Sequence, residues 1–238
     1  MKLGWLANTR PDCLFEISRL SQVTEEMFKK NPHDLVKRLN RIVRYARNNE
    51  INIKFPKLDM QSLRMIGFSD ASFANNNDFT SQLGYIVFIS DKHNNCIPLM
   101  FKSYKAKRIT RSAMSAEVIA FSDMSDTAIT LGQEIECLLD NKIPVQLLTD
   151  SKSLFDVISK GTRTSEKRTM LDIAASREAF RDKVISDIGF VRSNKNLADG
   201  LTKEMNQSAL RKFLDTGTLV VDPDQWIIRN DDRTQRAN

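Results

Sequence analysis

The chain has 238 residues, 41% hydrophobic and 28% charged, enough for a packed core in one large domain or two small ones. No apolar run approaches the roughly 20 residues needed to cross a bilayer, and residues 1–8 are too short and lack the cleavage pattern of a signal peptide, so no membrane partner is expected. The net charge of +6 permits a nucleic-acid partner without requiring one, so where the cations lie matters more than their sum.

Residues 1 to about 50 read as two helices around a turn. Leu14, Ile17 and Leu20 recur at helical spacing after Pro11; a second apolar stripe, Leu35, Leu39, Ile42, Val43 and Ala46, follows Asn31-Pro32. The other face of that second helix carries Lys37, Arg38, Arg41, Arg44 and Arg47, a solvated surface or a phosphate contact. Residues 51–63, with Pro56, read as a linker.

From residue 64 to 203 the pattern becomes three strands, a helix, a strand, two helices, a strand and a helix. The strands fall near 64–70, 83–91, 96–104, 144–149 and 186–192. A long helix over about 112–138 presents Ala113, Glu117, Ala120, Phe121, Met124, Ala128 and Leu131 on one face. Glu117 therefore lies within the apolar stripe, where an acid must be paired, neutralised or bound to metal. The loop entering this helix carries Lys102, Lys105, Lys107, Arg108 and Arg111. Further cations follow on a helix over 168–183. Residues 204–238 contain a short helix around Ala209–Leu214 and end in a polar tail expected to be disordered.

Cys13, Cys96 and Cys137 are odd in number and far apart, which argues against a disulfide framework and for a reducing compartment, the cytoplasm or alternatively the nucleus. The two histidines, His33 and His93, give no zinc spacing and no Ser/His/Asp triad. The informative residues are four acids. Asp70 and Asp150 close apolar strand-like runs, Glu117 sits on the helix, and Asp199 follows the last strand. Carboxylates delivered from separate elements can converge and hold two divalent cations for phosphodiester cleavage. Each alone is an ordinary surface acid; the ordered set is what points to a nuclease.

The segment over 64–203 resembles the ribonuclease H domain of copia-type long-terminal-repeat retrotransposons. The resemblance rests on Asp70-Ala71-Ser72-Phe73-Ala74, Thr80–Phe88, Ser115-Ala116-Glu117-Val118-Ile119-Ala120, Thr149-Asp150-Ser151-Lys152-Ser153 and Leu197-Ala198-Asp199-Gly200-Leu201-Thr202-Lys203. The N-terminal part, Leu6-Ala7-Asn8-Thr9-Arg10-Pro11-Asp12 and Ile17-Ser18-Arg19-Leu20-Ser21, is similar to the end of the reverse transcriptase in the same polyproteins. The polymerase motif, an aromatic residue, any residue, then Asp-Asp, does not occur, so the chain is expected to be a C-terminal piece without the polymerase site. Three departures stand out. Ser115 and Val118 replace a Glu and a Tyr of the family's helical motif, Gln82 and Leu83 interrupt its second-strand string, and Val191-Arg192-Ser193-Asn194-Lys195 lacks the His that cellular and retroviral relatives carry shortly before the last acid. The missing His is read as a modifier of rate.

The resemblance implies an α/β, ribonuclease H-like fold with a five-stranded mixed sheet flanked by helices. Its expected divisions are a helical segment over 1–58, the nuclease over 64–203, and a C-terminal helix and tail over 204–238. It also implies Mg²⁺-dependent cutting of the RNA strand of RNA–DNA hybrids, with two ions, replaceable by Mn²⁺, held by Asp70, Glu117, Asp150 and Asp199. Asp70 would bridge both ions, and Asp199 would ride on a mobile C-terminal helix. Lys105, Lys107, Arg108, Arg111, Ser151 and Lys152 would contact nucleic acid, and the upstream reverse transcriptase would be a partner, within a virus-like particle for an active element. Two competing readings are a non-catalytic remnant that binds nucleic acid or a polymerase, and an unrelated nuclease or transposase of similar fold. The intact acids argue against the first, and the Leu197–Lys203 string together with the reverse-transcriptase-like N-terminus against the second. A chain starting near Met60 is expected to keep folding and cleavage.

Overall fold

Met65, Ile66 and Phe68 are fully buried in the central strand β1 (Arg64–Ser72), covered on both faces, which is why this run is apolar rather than alternating. The computed structural model describes residues 2–76, 78–161, 167–204 and 208–228. β1 pairs antiparallel with β2 (Gln82–Ser90), which pairs antiparallel with β3 (Cys96–Lys105). On its other side β1 runs parallel to β4 (Val145–Thr149), and β4 parallel to β5 (Asp187–Phe190). The sheet order is β3-β2-β1-β4-β5-β6, an α/β sheet of the expected ribonuclease H-like kind. Among the described residues it has six strands rather than five. The extra one, β6 (Gln225–Trp226), pairs antiparallel with β5 and is too short to leave a periodic signal.

One face of the sheet is covered by α5 (Ala113–Leu139), α6 (Lys152–Lys160) and α7 (Met170–Arg181). α5 starts at Ser112, whose Oγ accepts the Ser115 N–H at 3.1 Å, and its Phe121, Met124 and Ala128 pack with Met65, Val87 and Leu147. Gly67 lets this helix lie close to β1, since a Cβ there would stand 2.8 Å from Met124 Sδ. The opposite face buries Ile66, Phe68, Ile86, Phe88 and Leu148 against α8 (Ser208–Thr216), which supplies Leu210, Phe213 and Leu214.

Among the described residues the N-terminal region holds four helices rather than two: α1 (Lys2–Ala7), α2 (Leu14–Ser21), α3 (Glu25–Lys30) and α4 (Pro32–Asn48), with a 3-10 turn at Pro11–Cys13. Pro32 takes the first helical position of α4, where the sequence places the start of the second helix, and Asn31 caps it by accepting from Asp34 N. Arg10 forks onto Asp12 at 2.8 and 2.9 Å and donates to the carbonyls of Ala46 and Asn49, satisfying the C-terminal end of α4. These helices are fastened to the sheet. Leu14 joins the core under it, and Gln82, wholly buried on β2, donates to Ser18 Oγ at 3.0 Å. Ile51 and Ile53 pack on the same core, and Lys54 N–H donates to Leu214 O, so the expected linker is threaded along the body. The expected disordered tail, 229–238, lies outside the described residues.

Candidate active site

β1 and β4 run parallel and end at the same edge of the sheet, so their closing acids arrive side by side. Asp70, near the end of β1 and opposite Gly84, is 1% exposed; Asp150 follows the last residue of β4 and is half-buried. Glu117 comes from the first turns of α5, laid over β1. One oxygen from each of Asp70, Glu117 and Asp150 lies within 4.8 Å of the others. Asp199 arrives differently. It is buried in a five-residue 3-10 turn, Leu197–Leu201, and not on the terminal helix α8. Such a turn carries no helical period, so sequence could place Asp199 after the last strand but not say what held it. Asn196 pins the turn by donating from Nδ2 to Ser69 O at 2.9 Å, one residue before Asp70, while its Oδ1 accepts Ala198 N–H.

Two residues within the Leu197–Lys203 string, not singled out from sequence, complete the site. Thr202 Oγ1 donates to Asp70 Oδ2, and the Lys203 ammonium pairs with Asp199 Oδ1 while standing 3.6 Å from Asp70 Oδ2. Gly84 makes room for them. A Cβ at that position would meet Thr202 Cγ2 at 2.8 Å and Leu201 Cβ at 2.9 Å.

Burial pushes the Asp70 carboxyl up to about 6; the charges of Asp150 and Asp199 push the same way, and Lys203 and Thr202 oppose them. Glu117 is raised well above the ordinary carboxylate value, first by burial, then by Asp70 and Asp150, against an Ala71 backbone N–H and Lys203. Burial works against the Lys203 ammonium, but Asp70 and Asp199 outweigh it and its pKa is raised. Glu117 Oε2 is buried with no hydrogen-bond partner among the described residues. An orphaned carboxylate oxygen facing two other acids is costly unless a cation joins them, and an all-oxygen donor set suits a hard divalent ion. The residues fit a metal centre.

The expected nucleic-acid contacts divide. Lys107, Arg108 and Arg111 are exposed where β3 leads into α5. Lys105 is ion-paired with Asp78. Ser151 caps α6 by accepting Leu154 N–H at 3.4 Å. Lys152 pairs with Asp156 at 3.3 Å, donates to Gln225 Oε1 at 2.9 Å and lies over the rings of Phe155 and Phe190. On α4, Arg38 and Arg41 reach Glu16 at 3.7 and 3.0 Å, and Arg41 also pairs with Glu204, so part of that basic face is neutralised internally.

No protein-family model matches the chain. Among curated proteins, the Retrovirus-related Pol polyprotein from transposon RE1 of Arabidopsis thaliana is 27% identical over 218 residues, 89% of this chain. The Transposon Ty1-H Gag-Pol polyprotein of Saccharomyces cerevisiae is 28% identical over 145 residues, 60% of this chain. This chain is related to transposon Pol polyproteins. It spans 14% of the first relative and 8% of the second, a small part of each Pol polyprotein. Among solved structures, LC11-RNase H1 in complex with RNA/DNA hybrid is 16% identical, covering 58% of this Pol-related chain and 93% of its own, with a TM-score of 0.44. The Prototype Foamy Virus Protease-Reverse Transcriptase is 15% identical, covering 84% of this chain and 30% of its own, with a TM-score of 0.38.

Proposed function

We propose that this chain is a ribonuclease H that hydrolyses the RNA strand of RNA–DNA hybrids during retrotransposon reverse transcription. One observation carries the reading: three carboxylates from β1, α5 and β4 within 4.8 Å, one of whose oxygens is buried and unpartnered. Asp70, Glu117 and Asp150 would hold one Mg²⁺, and Asp70 with Asp199 a second, Mn²⁺ serving as substitute. Bound there, such ions would supply an activated water and stabilise the leaving oxygen. The chain's own residues do the rest. Thr202 orients Asp70, Asn196 ties the Asp199 turn to β1, and burial keeps bulk water from Asp70 and Asp199.

Lys107, Arg108 and Arg111 are assigned to the hybrid backbone, with Lys105 and Lys152 joining after exchanging their acidic partners for phosphate. Ser151 contributes from the start of α6. The upstream reverse transcriptase of the same polyprotein is assigned as the partner of the N-terminal helices, since the relatives extend far beyond the matched part. The three free cysteines fit a reducing compartment, and we assign the cytoplasm.

The test is incubation of the purified chain with Mg²⁺ and a hybrid labelled on each strand, beside Asp70→Asn. Internal cuts in RNA, an intact DNA strand and an inactive variant are expected. Hybrid binding with no cleavage by either chain would return the role to a nucleic-acid-binding remnant.

A further inference from the structure

The acidic cluster has two sides with different contents. Asp70, Glu117 and Asp150 converge on one another, whereas Asp70 and Asp199 are joined by a lysine. The 3-10 turn dictates this: Thr202 and Lys203 N–H both fold back on Asp199 O, at 3.3 and 3.2 Å, which sets the Lys203 side chain above its own turn's carboxylate. The next residue, Glu204, is held by Arg41 of α4, and Arg41 in turn by Glu16 of α2. The backbone beyond Lys203 is thus anchored at a second point, and the freedom left is in the four-carbon stem of a side chain that is 42% exposed.

Resting on the ribonuclease reading of the site, we propose that the Lys203 ammonium is a built-in competitor for the second divalent cation. It pairs with the Asp70–Asp199 side, so ions load in order: the first among Asp70, Glu117 and Asp150, the second only when Lys203 swings away. An ammonium and a divalent cation cannot share the same few oxygens, because like charges at such separations repel strongly where water is scarce. The swing has a destination when a hybrid is bound, since the displaced ammonium can then meet a phosphate. Lys203 is in this sense a positioning residue that gates the second ion.

The test is calorimetric titration of the full chain with Mn²⁺, without nucleic acid, for the unaltered chain, Lys203→Met, Lys203→Gln and Lys203→Arg. Asp70→Asn serves as the site control and circular dichroism as the check on folding. A first ion bound by the unaltered chain and, no more weakly, by all three Lys203 variants is expected, with the second bound at least about tenfold more tightly in the Met and Gln variants than in the unaltered and Arg chains. Second-ion affinity that is equal, or absent, in the unaltered and both neutral variants overturns the proposal while the metal site stands. Loss of the first ion from both folded neutral variants also overturns it, making Lys203 a support of the first position. If no chain binds any ion, the metal-centre reading falls and this proposal with it.

Discussion

At Asp70 burial sets the needs of a metal site against the stability of the fold. The carboxyl rises from 3.8 to about 6, so between those values the folded chain holds a proton that the unfolded chain has released. Stability from this group is therefore full at low pH and falls as pH rises to about 6, by roughly 3 kcal/mol in all at about 1.4 kcal/mol per pH unit. Glu117 acts in the same direction. We predict that Asp70→Asn, without divalent ions, is more stable than the unaltered chain to urea at pH 7 and indistinguishable from it near pH 4. Added Mg²⁺ should stabilise the unaltered chain above pH 6, with a chelator reversing the gain, and leave the variant unmoved. A variant less stable at pH 7 would mean that the Thr202 and Lys203 contacts outweigh burial. Asp70, Asp150 and Glu117 were legible in the sequence because an acid ending an apolar run, or sitting in an apolar stripe, breaks a pattern. Thr202 and Lys203 break none. Their partners are 132 residues away or on a turn without periodicity, so only three-dimensional closure reveals them.

Among the elements, the N-terminal helices bear most on where the nuclease begins. Leu14 and Phe15 of α2 are buried, each worth about 2 kcal/mol against exposure, and Ser18 shares with Ser103 the amide of the wholly buried Gln82. The amphipathic stripes of this region announce that one face must be covered; they cannot say whether by each other, by a polymerase or by the sheet. Packing on β3 and β2 supplies part of the answer. A chain beginning at Met60 is predicted to lose several kcal/mol and to show a lower urea midpoint. Equal midpoints for the full and shortened chains would make residues 1–59 an appendage. The strands were legible for the opposite reason: apolar runs of 4–10 residues leave little choice once both faces of a sheet are filled.

For the molecule as a whole, charge is distributed unevenly enough to make a prediction about salt. Lys107, Arg108 and Arg111 stand exposed together, while Lys105 is already held by Asp78. Changing the three exposed cations to Ala should weaken hybrid binding and lower the slope of log affinity against log salt by roughly 0.7 to 0.9 for each phosphate left without its cation. Lys105→Ala should lower it less, because its charge is partly neutralised within the chain. An unchanged slope in the triple variant would make this loop a solvated surface. Sequence shows the cluster but not its internal partners, since Asp78 lies 27 positions before Lys105 and pairs with it only because β2 and β3 fold back.

The two residues of β6 have a consequence out of proportion to their length. β5 would otherwise present a row of open donors and acceptors at the rim of the sheet, and such a rim is a template on which a foreign strand can grow. Asp224 N–H donates to Phe190 O and Ile227 N–H to Ile188 O, while the Trp226 indole lies against Gly189, where any side chain would stand in its way. The same glutamine that pairs in this strand, Gln225, also holds Lys152. This late segment of the chain thus covers the β5 side of the sheet, leaving no row of open groups on that strand for a foreign strand to join.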